Sequence, residues 1–153
     1  MELGALGEFV GAIGIVVTLA YLAIQIRNQN SESRVAAMHE ISVGFRESIA
    51  VFGDSQMAEL LTRANSTDEP FSDSEMVQLI VAVQRILRVW EEAYVQHIAG
   101  RLDLQIWQAM GRQYSSVMAA PAFQIVWNLR KDYFSESFRE LVDGSPRTEY
   151  KIR

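Results

Sequence analysis

The sequence predicts an all-α protein in which one N-terminal transmembrane helix is followed by a compact bundle of about five helices. Three observations predict this class. An apolar stretch without a charged residue runs from Phe9 to Ile26. Apolar residues then recur at helical spacing, and no segment alternates polar and apolar residues with the period of a half-buried strand. Since 49% of the 153 residues are hydrophobic, we expect the chain after the first helix to fold rather than remain disordered.

The first element is the predicted transmembrane helix, residues 9–26. As a helix this stretch is roughly 27 Å long, close to the bilayer's hydrocarbon thickness of about 30 Å. Two alternatives stay open. A cleavable signal peptide would begin with a basic region and end at a small-residue site, whereas the region before this helix holds Glu2 and no Lys or Arg, and no such site follows the helix. A buried helix of a soluble bundle is usually shorter, about 10–14 residues, although Glu8, Thr18 and Gln25 make this stretch less apolar.

The basic residues around this helix predict its orientation. Arg27, Arg34 and Arg46 follow the helix, and no basic residue precedes it. Because Lys and Arg tend to stay on the cytoplasmic side, we expect the N-terminus outside and the C-terminal domain in the cytoplasm. The chain has no cysteine, so no disulfide framework demands an oxidising compartment.

A stripe of small and then polar residues follows one face of the same helix, with spacings of three and four, and continues to Asn28. Small residues let helix backbones approach closely in lipid, so the stripe predicts contact with a second copy or with another membrane protein. The alternative is that glycine is simply common in membrane helices. The predicted helix–helix interface consists of Gly4, Gly7, Gly11, Gly14, Thr18, Tyr21 and Gln25.

The polar residues 28–33 come next, and two interpretations stay open for them. They are either a short break, with Ser31 or Ser33 capping a new helix, or the continuation of the first helix beyond the lipid headgroups. Apolar residues at helical spacing from Val35 to Phe52 then predict a helix that ends at Gly53.

Capping residues divide the rest of the domain. Ser55 is expected to cap a short helix that stops near Asn65. Ser72 and Glu75 have the spacing of a capping box, and the helix that they open carries the widest apolar stripe. We expect this helix to be the central one and to end at Gly100.

Three further helices follow at the C-terminal end. Asp103 is expected to cap the first, which ends before Pro121. A shorter helix covers residues 123–129, and the last begins at Ser135 and closes at Gly144.

The elements define three predicted regions. Residues 1–30 form the transmembrane helix, residues 31–146 the helical cytoplasmic domain, and residues 147–153 a frayed C-terminal tail.

The sequence shows no pattern typical of a catalytic, metal, cofactor or nucleic-acid site. The net charge is −5 and the basic residues are scattered, which argues against a nucleic-acid partner. His39 lacks the second histidine of a zinc motif because position 43 is Val, and Glu92 and His97 are five apart rather than the three of a di-iron motif. An enzyme built on Glu91, Glu92 and His97 ranks last, because the spacing places no base, nucleophile and orienting group together. We therefore expect no enzyme activity and no cofactor.

A charged cluster on the central helix and a set of aromatic residues on three of the predicted helices each allow two interpretations. Arg85, Arg88, Glu91 and Glu92 form either exposed ion pairs or a buried network that fixes the neighbouring helices. The tryptophans are expected to pack in the core because of the large area that each buries. The alternative is a small-ligand pocket formed by Trp90, Tyr94, Trp107 and Trp127.

Two segments, VTLAYLAIQIRNQN and EEAYVQHIAGRLDLQIW, resemble an uncharacterised family of short bacterial proteins. Members have an N-terminal membrane helix that ends in a phrase like YLAIQIRxN and then a helical domain. The resemblance implies this architecture and a place in the bacterial inner membrane, but no reaction. Its matching positions are Tyr21, Gln25, Arg27, Asn28, Glu91, Tyr94, Gly100, Leu102, Asp103 and Trp107.

The function predicted from these features is that of a single-pass structural or accessory subunit. It would homo-oligomerise through the glycine stripe or dock on a larger membrane complex, with membrane lipid around the helix. The alternative is a membrane-tethered regulatory or small-ligand-binding module.

Overall fold

The computed structural model describes residues 2–66 and 70–150, and within these ranges the chain is helical and has no strand. The all-α class predicted from the sequence is therefore confirmed. The helices are α1 (Glu2–Phe52), α2 (Ser55–Ser66), α3 (Asp73–Ile98), α4 (Leu104–Val117), α5 (Pro121–Arg130) and α6 (Glu136–Gly144), with a short 3₁₀ helix at Lys131–Tyr133 between α5 and α6.

Helix α1 is a single element of 51 residues, so the polar residues 28–33 continue it. Neither Ser31 nor Ser33 begins a new helix. The physical reason is that this part of the chain contains polar residues but no helix breaker. No glycine occurs between Gly14 and Gly44, and the first proline is Pro70.

The chain divides into two compact units, Met1–Ala36 and Ala37–Arg153. In the first unit the described residues belong to α1, and none of the most apolar window of this helix, with a mean hydropathy of 2.2, is buried in protein. By length and composition, this is the one helix among the described residues that is able to cross a membrane.

The second unit is built around α3, which packs against α2, α4 and α5. The middle of its apolar stripe is enclosed, since Leu79, Val83, Leu87 and Trp90 are each at most 1% exposed. This confirms the prediction that the strongest amphipathic helix is the central one.

The caps around α3 and α4 follow the sequence prediction. Ser72 and Glu75 form the capping box: the Ser72 N–H donates to the Glu75 carboxylate at 2.8 Å, and Ser72 Oγ accepts from the Glu75 N–H. Gly100 adopts the left-handed conformation, with φ at +69°, just after α3. Asp103 caps α4. Helix α5 begins at Pro121, two residues before the predicted start at residue 123, because the missing N–H of proline costs nothing in the first turn of a helix.

The prediction for the start of α2 is wrong by one residue. Asp54 caps the helix, and Ser55 is its first residue. Asp54 Oδ1 accepts from the backbone N–H groups of Gln56 at 3.0 Å and of Met57 at 3.2 Å. A carboxylate at this position also interacts favourably with the positive end of the helix dipole, which explains why Asp54 rather than Ser55 caps the helix.

Candidate functional site

The predicted interface on α1 is an exposed edge of that helix. At each of its four glycines, an added Cβ would meet no atom within 4 Å, so nothing in the described chain occupies the space beside them. All members of the edge are exposed: Gly4, Gly7, Gly11, Gly14, Thr18, Tyr21 and Gln25. The structure therefore leaves this edge open to another molecule.

The polar members of the edge are paired within α1, but not completely. Thr18 Oγ1 donates to the Gly14 carbonyl oxygen at 2.8 Å, the bond to the carbonyl four residues earlier that hydroxyls within a helix can form. Gln25 Nε2 donates to the Tyr21 hydroxyl at 2.7 Å. The Tyr21 proton, the second Nε2 hydrogen of Gln25 and the Gln25 side-chain oxygen have no partner among the described residues, which leaves two donors and one acceptor free on this edge.

The rings predicted to line a ligand pocket belong to the aromatic core of the second unit. Trp90 and Trp127 are each 1% exposed. The Trp90 ring stacks on Tyr114 with centroids 4.2 Å apart and meets Phe138 edge-on at 5.3 Å. Trp127 Nε1 donates to the Asp143 carboxylate at 2.7 Å. These contacts are typical of packing, which was the first interpretation of the tryptophans.

The other two predicted pocket residues lie at the edge of the same core. Tyr94 is 6.0 Å from Trp107 and 6.1 Å from Phe138, measured between ring centroids. His97 stacks on Trp107 at 4.8 Å. The small-ligand pocket among these rings stays a prediction.

Arg88 and Glu91 connect α3 to the turn that precedes α6. Arg88 pairs with Glu91 at 2.5 Å, donates to the Tyr133 carbonyl oxygen at 2.8 Å and lies 4.2 Å over the Phe134 ring. Glu91 accepts from both the N–H and the hydroxyl of Ser135 at 2.8 Å. Partial burial raises the pKa of Glu91, but the hydrogen bonds from Ser135 and Arg88 outweigh it and hold the pKa below its usual value. The network therefore fixes a neighbouring segment, as the second interpretation expects, but it is not buried, because the Arg88 side chain is 48% exposed.

The remaining charged groups of the cluster behave differently. Arg85 pairs with Glu47 at 2.7 Å, and both side chains are about half exposed, as an ordinary surface ion pair. Partial burial and the nearby Glu40 carboxylate raise the pKa of Glu92. Among the described residues, no hydrogen bond joins Glu91, Glu92 and His97, and no group of three metal-ligating side chains is close enough to hold an ion.

A cavity of about 310 Å³ lies elsewhere in the second unit, where sequence reasoning did not place a site. Its wall is mainly aromatic and aliphatic, and it comes from the end of α1, from α2 to α5 and from the C-terminal segment. The lining residues are Phe45, Ile49, Phe52, Ala58, Leu61, Thr62, Asn65, Ile86, Gln113, Tyr114, Val117, Phe123 and Tyr150.

Tyr114 contributes a buried polar group to this wall. The residue is 2% exposed, and its hydroxyl has no hydrogen-bond partner within the ranges that the structure describes. Burial alone raises the pKa of this phenol far above its usual value. A buried hydroxyl without a partner costs about 1–3 kcal/mol. The only signal in the sequence was a tyrosine at a core-facing position of α4, whose hydroxyl needs a partner.

The C-terminal segment closes one side of the cavity. The Thr148 N–H donates to the Ser115 carbonyl oxygen at 3.3 Å, and the Ser116 hydroxyl donates to the Glu149 carbonyl oxygen at 3.4 Å. Two hydrogen bonds thus join α4 to the start of the predicted tail, while residues 151–153 lie outside the described ranges.

No family model, curated protein or solved structure matches this chain. The resemblance to the family of short bacterial proteins therefore stays a prediction.

Proposed function

We propose that this chain is a single-pass protein of the bacterial inner membrane that serves as a structural or accessory subunit. Helix α1 crosses the bilayer with its N-terminus outside, and the helical domain lies in the cytoplasm. The glycine edge of α1 holds a second copy or another membrane protein.

The observation that carries the proposal is the bare apolar surface of α1. Between Phe9 and Ile26 eleven large apolar side chains are exposed, and several, such as Ile15 and Val16, are more than 60% exposed. Covering one such side chain is worth about 1.5–3 kcal/mol, so leaving all of them in water costs on the order of tens of kcal/mol. A domain is stable by only about 5–15 kcal/mol.

The distribution of these side chains favours lipid over a single protein partner. Apolar residues lie on every side of α1, and a helix of this kind is either enclosed by protein or set in a membrane. Enclosure by this chain is not observed, since none of the window is buried. Lipid covers all sides at once, and the glycine edge leaves one face on which another helix can pack closely.

Replacement of two glycines tests the subunit role. Gly7→Leu with Gly11→Leu fills the space beside α1, so we expect a chain that associates in mild detergent to become a monomer by native mass measurement. Ala12→Leu with Ala23→Leu is the matched control, because it adds similar volume on the opposite face of the same helix. A wild-type monomer would contradict a second copy as the partner, and equal association in both double variants would contradict the proposed interface.

Single cysteines test the orientation, and the natural chain offers a background without cysteine. In intact bacterial spheroplasts we expect a membrane-impermeant maleimide to label Glu2→Cys at once and Asn30→Cys only after permeabilisation. The reverse pattern would overturn the orientation but not the crossing itself.

A further inference from the structure

We propose that the 310 Å³ cavity of the helical unit binds a neutral amphiphile, a small apolar molecule with one hydrogen-bonding group such as a long-chain alcohol. Ligand pockets in proteins measure about 300–1,000 Å³, so the cavity has the size for a small ligand. Its lining residues lie between Phe45 and Tyr150, and all belong to the second compact unit.

The lining chemistry selects the charge of the ligand. None of the side chains that line the cavity is ionisable at neutral pH; its polar groups are amides and hydroxyls, such as Asn65, Gln113 and Thr62. A carboxylate or an ammonium would lose its hydration on entry and find no opposite charge in the wall. A neutral molecule loses much less hydration, and its apolar part gains contact with rings such as Phe52 and Phe123.

The Tyr114 hydroxyl supplies an independent observation. Tyr114 lines the cavity and is 98% buried, yet its hydroxyl has no partner among the described residues. The hydroxyl oxygen itself exposes less than 1 Å², so an oxygen atom of a ligand would accept this hydrogen bond once the side chains that cover the hydroxyl move aside. The Asn65 side chain is already fixed in the wall, because its oxygen accepts from the Ala122 N–H at 3.1 Å.

The cavity also has a defined mouth. Tyr150 lines it and is 39% exposed, which places this ring at the border between cavity and solvent. The hydrogen bonds from Thr148 and Ser116 hold the segment beside it against α4. Ala58 on α2 is likewise exposed and lines the cavity, so it is a second residue at the mouth.

Photolabelling of the full chain tests the site. The chain is placed in phosphatidylcholine nanodiscs with 1-decanol that carries a diazirine, is irradiated, and the labelled positions are mapped by peptide mass spectrometry. We expect labels at cavity residues of α2 and α4, such as Leu61 and Val117, and at least tenfold fewer with the matching diazirine decanoate. Labels confined to residues 9–26 would overturn the site, and equal labelling by decanoate would overturn its selectivity for a neutral molecule.

Variants at the mouth and the wall sharpen the test. Ala58→Phe and, separately, Thr62→Phe fill the cavity and should each lower the labelling of α4 at least fivefold. Ala50→Phe is the control, because Ala50 is an exposed helical alanine outside the lining. Unchanged labelling in both filled variants would overturn the site, and so would an equal loss in the control.

Tyr114→Phe tests the hydrogen bond alone, since it keeps the ring that stacks on Trp90. We expect the decanol concentration for half-maximal labelling to rise about fivefold, the effect of one net hydrogen bond. An unchanged concentration would overturn the role of Tyr114. These readouts do not depend on the proposed partner of α1, because every labelled position lies within the second unit.

Discussion

The Glu75 carboxylate has two roles at the scale of a single residue. It closes the capping box at the start of α3, and it pairs with Arg63 of α2 at 2.5 Å. The hydrogen bond from the Ser72 N–H is the main cause of its lowered pKa, followed by the Arg63 guanidinium, and together they bring the pKa from 4.5 to about 2.

The shift predicts how stability depends on pH. Because the pKa is lower in the folded chain, the Glu75 contribution is complete above about pH 4.5 and is lost as the pH falls towards 2. We expect the difference in melting temperature between wild type and Glu75→Gln to be constant above pH 5 and to shrink below pH 4.5. Gln is the matched replacement, since it also serves in a capping box. A difference that does not change with pH would contradict this account.

Single residues also show which contacts the sequence can predict. The capping box of Ser72 and Glu75 was predictable, because both partners lie within three positions. Ser135 was expected to start α6, and it does, but its hydroxyl donates to Glu91, 44 positions earlier, and not to its own helix. The orphaned hydroxyl of Tyr114 depends likewise on packing between distant helices, which no local pattern reveals.

At the scale of elements, several helix ends were predictable from a glycine, a proline or a capping side chain, although the start of α2 was misplaced by one residue because Asp54 and Ser55 are both good caps. The ends at Gly100 and Pro121 follow from backbone geometry alone. The continuity of α1 could not be decided, because polar residues 28–33 fit both a break and an exposed helix turn. In the structure α1 continues through these residues, because no helix-breaking glycine or proline lies between Gly14 and Gly44.

Two glycines allow a matched test of the connection between α3 and α4. Gly100 has φ at +69°, so Gly100→Ala forces a strained conformation and should destabilise the chain by about 1 kcal/mol. Gly111 lies within α4, where an added Cβ meets nothing, so Gly111→Ala should stabilise it by about 0.5–1 kcal/mol. Urea unfolding measures both, and the same sign for the two variants would contradict the assigned geometry.

At the scale of the whole molecule, the chain combines two units with opposite surface chemistry. The second unit buries its apolar stripe around α3, whereas the first leaves every large apolar side chain of residues 9–26 exposed. The sequence predicted both properties, because an uncharged run and an amphipathic stripe are local patterns. The cavity was not predictable, since its wall draws on elements from Phe45 to Tyr150 that only the fold brings together.

The most direct test of the central claim is whether lipid surrounds α1. A spin label at Ile15→Cys, in the full chain reconstituted in phosphatidylcholine vesicles, reports its collisions with oxygen, which concentrates in lipid, and with a water-soluble nickel complex. Asn30→Cys serves as the reference beyond the apolar stretch. We predict that the label at residue 15 meets oxygen far more often than nickel, and that the label at residue 30 shows the opposite preference. A label at residue 15 that is as accessible to nickel as the one at residue 30, or shielded from both reagents, would contradict a membrane-spanning α1.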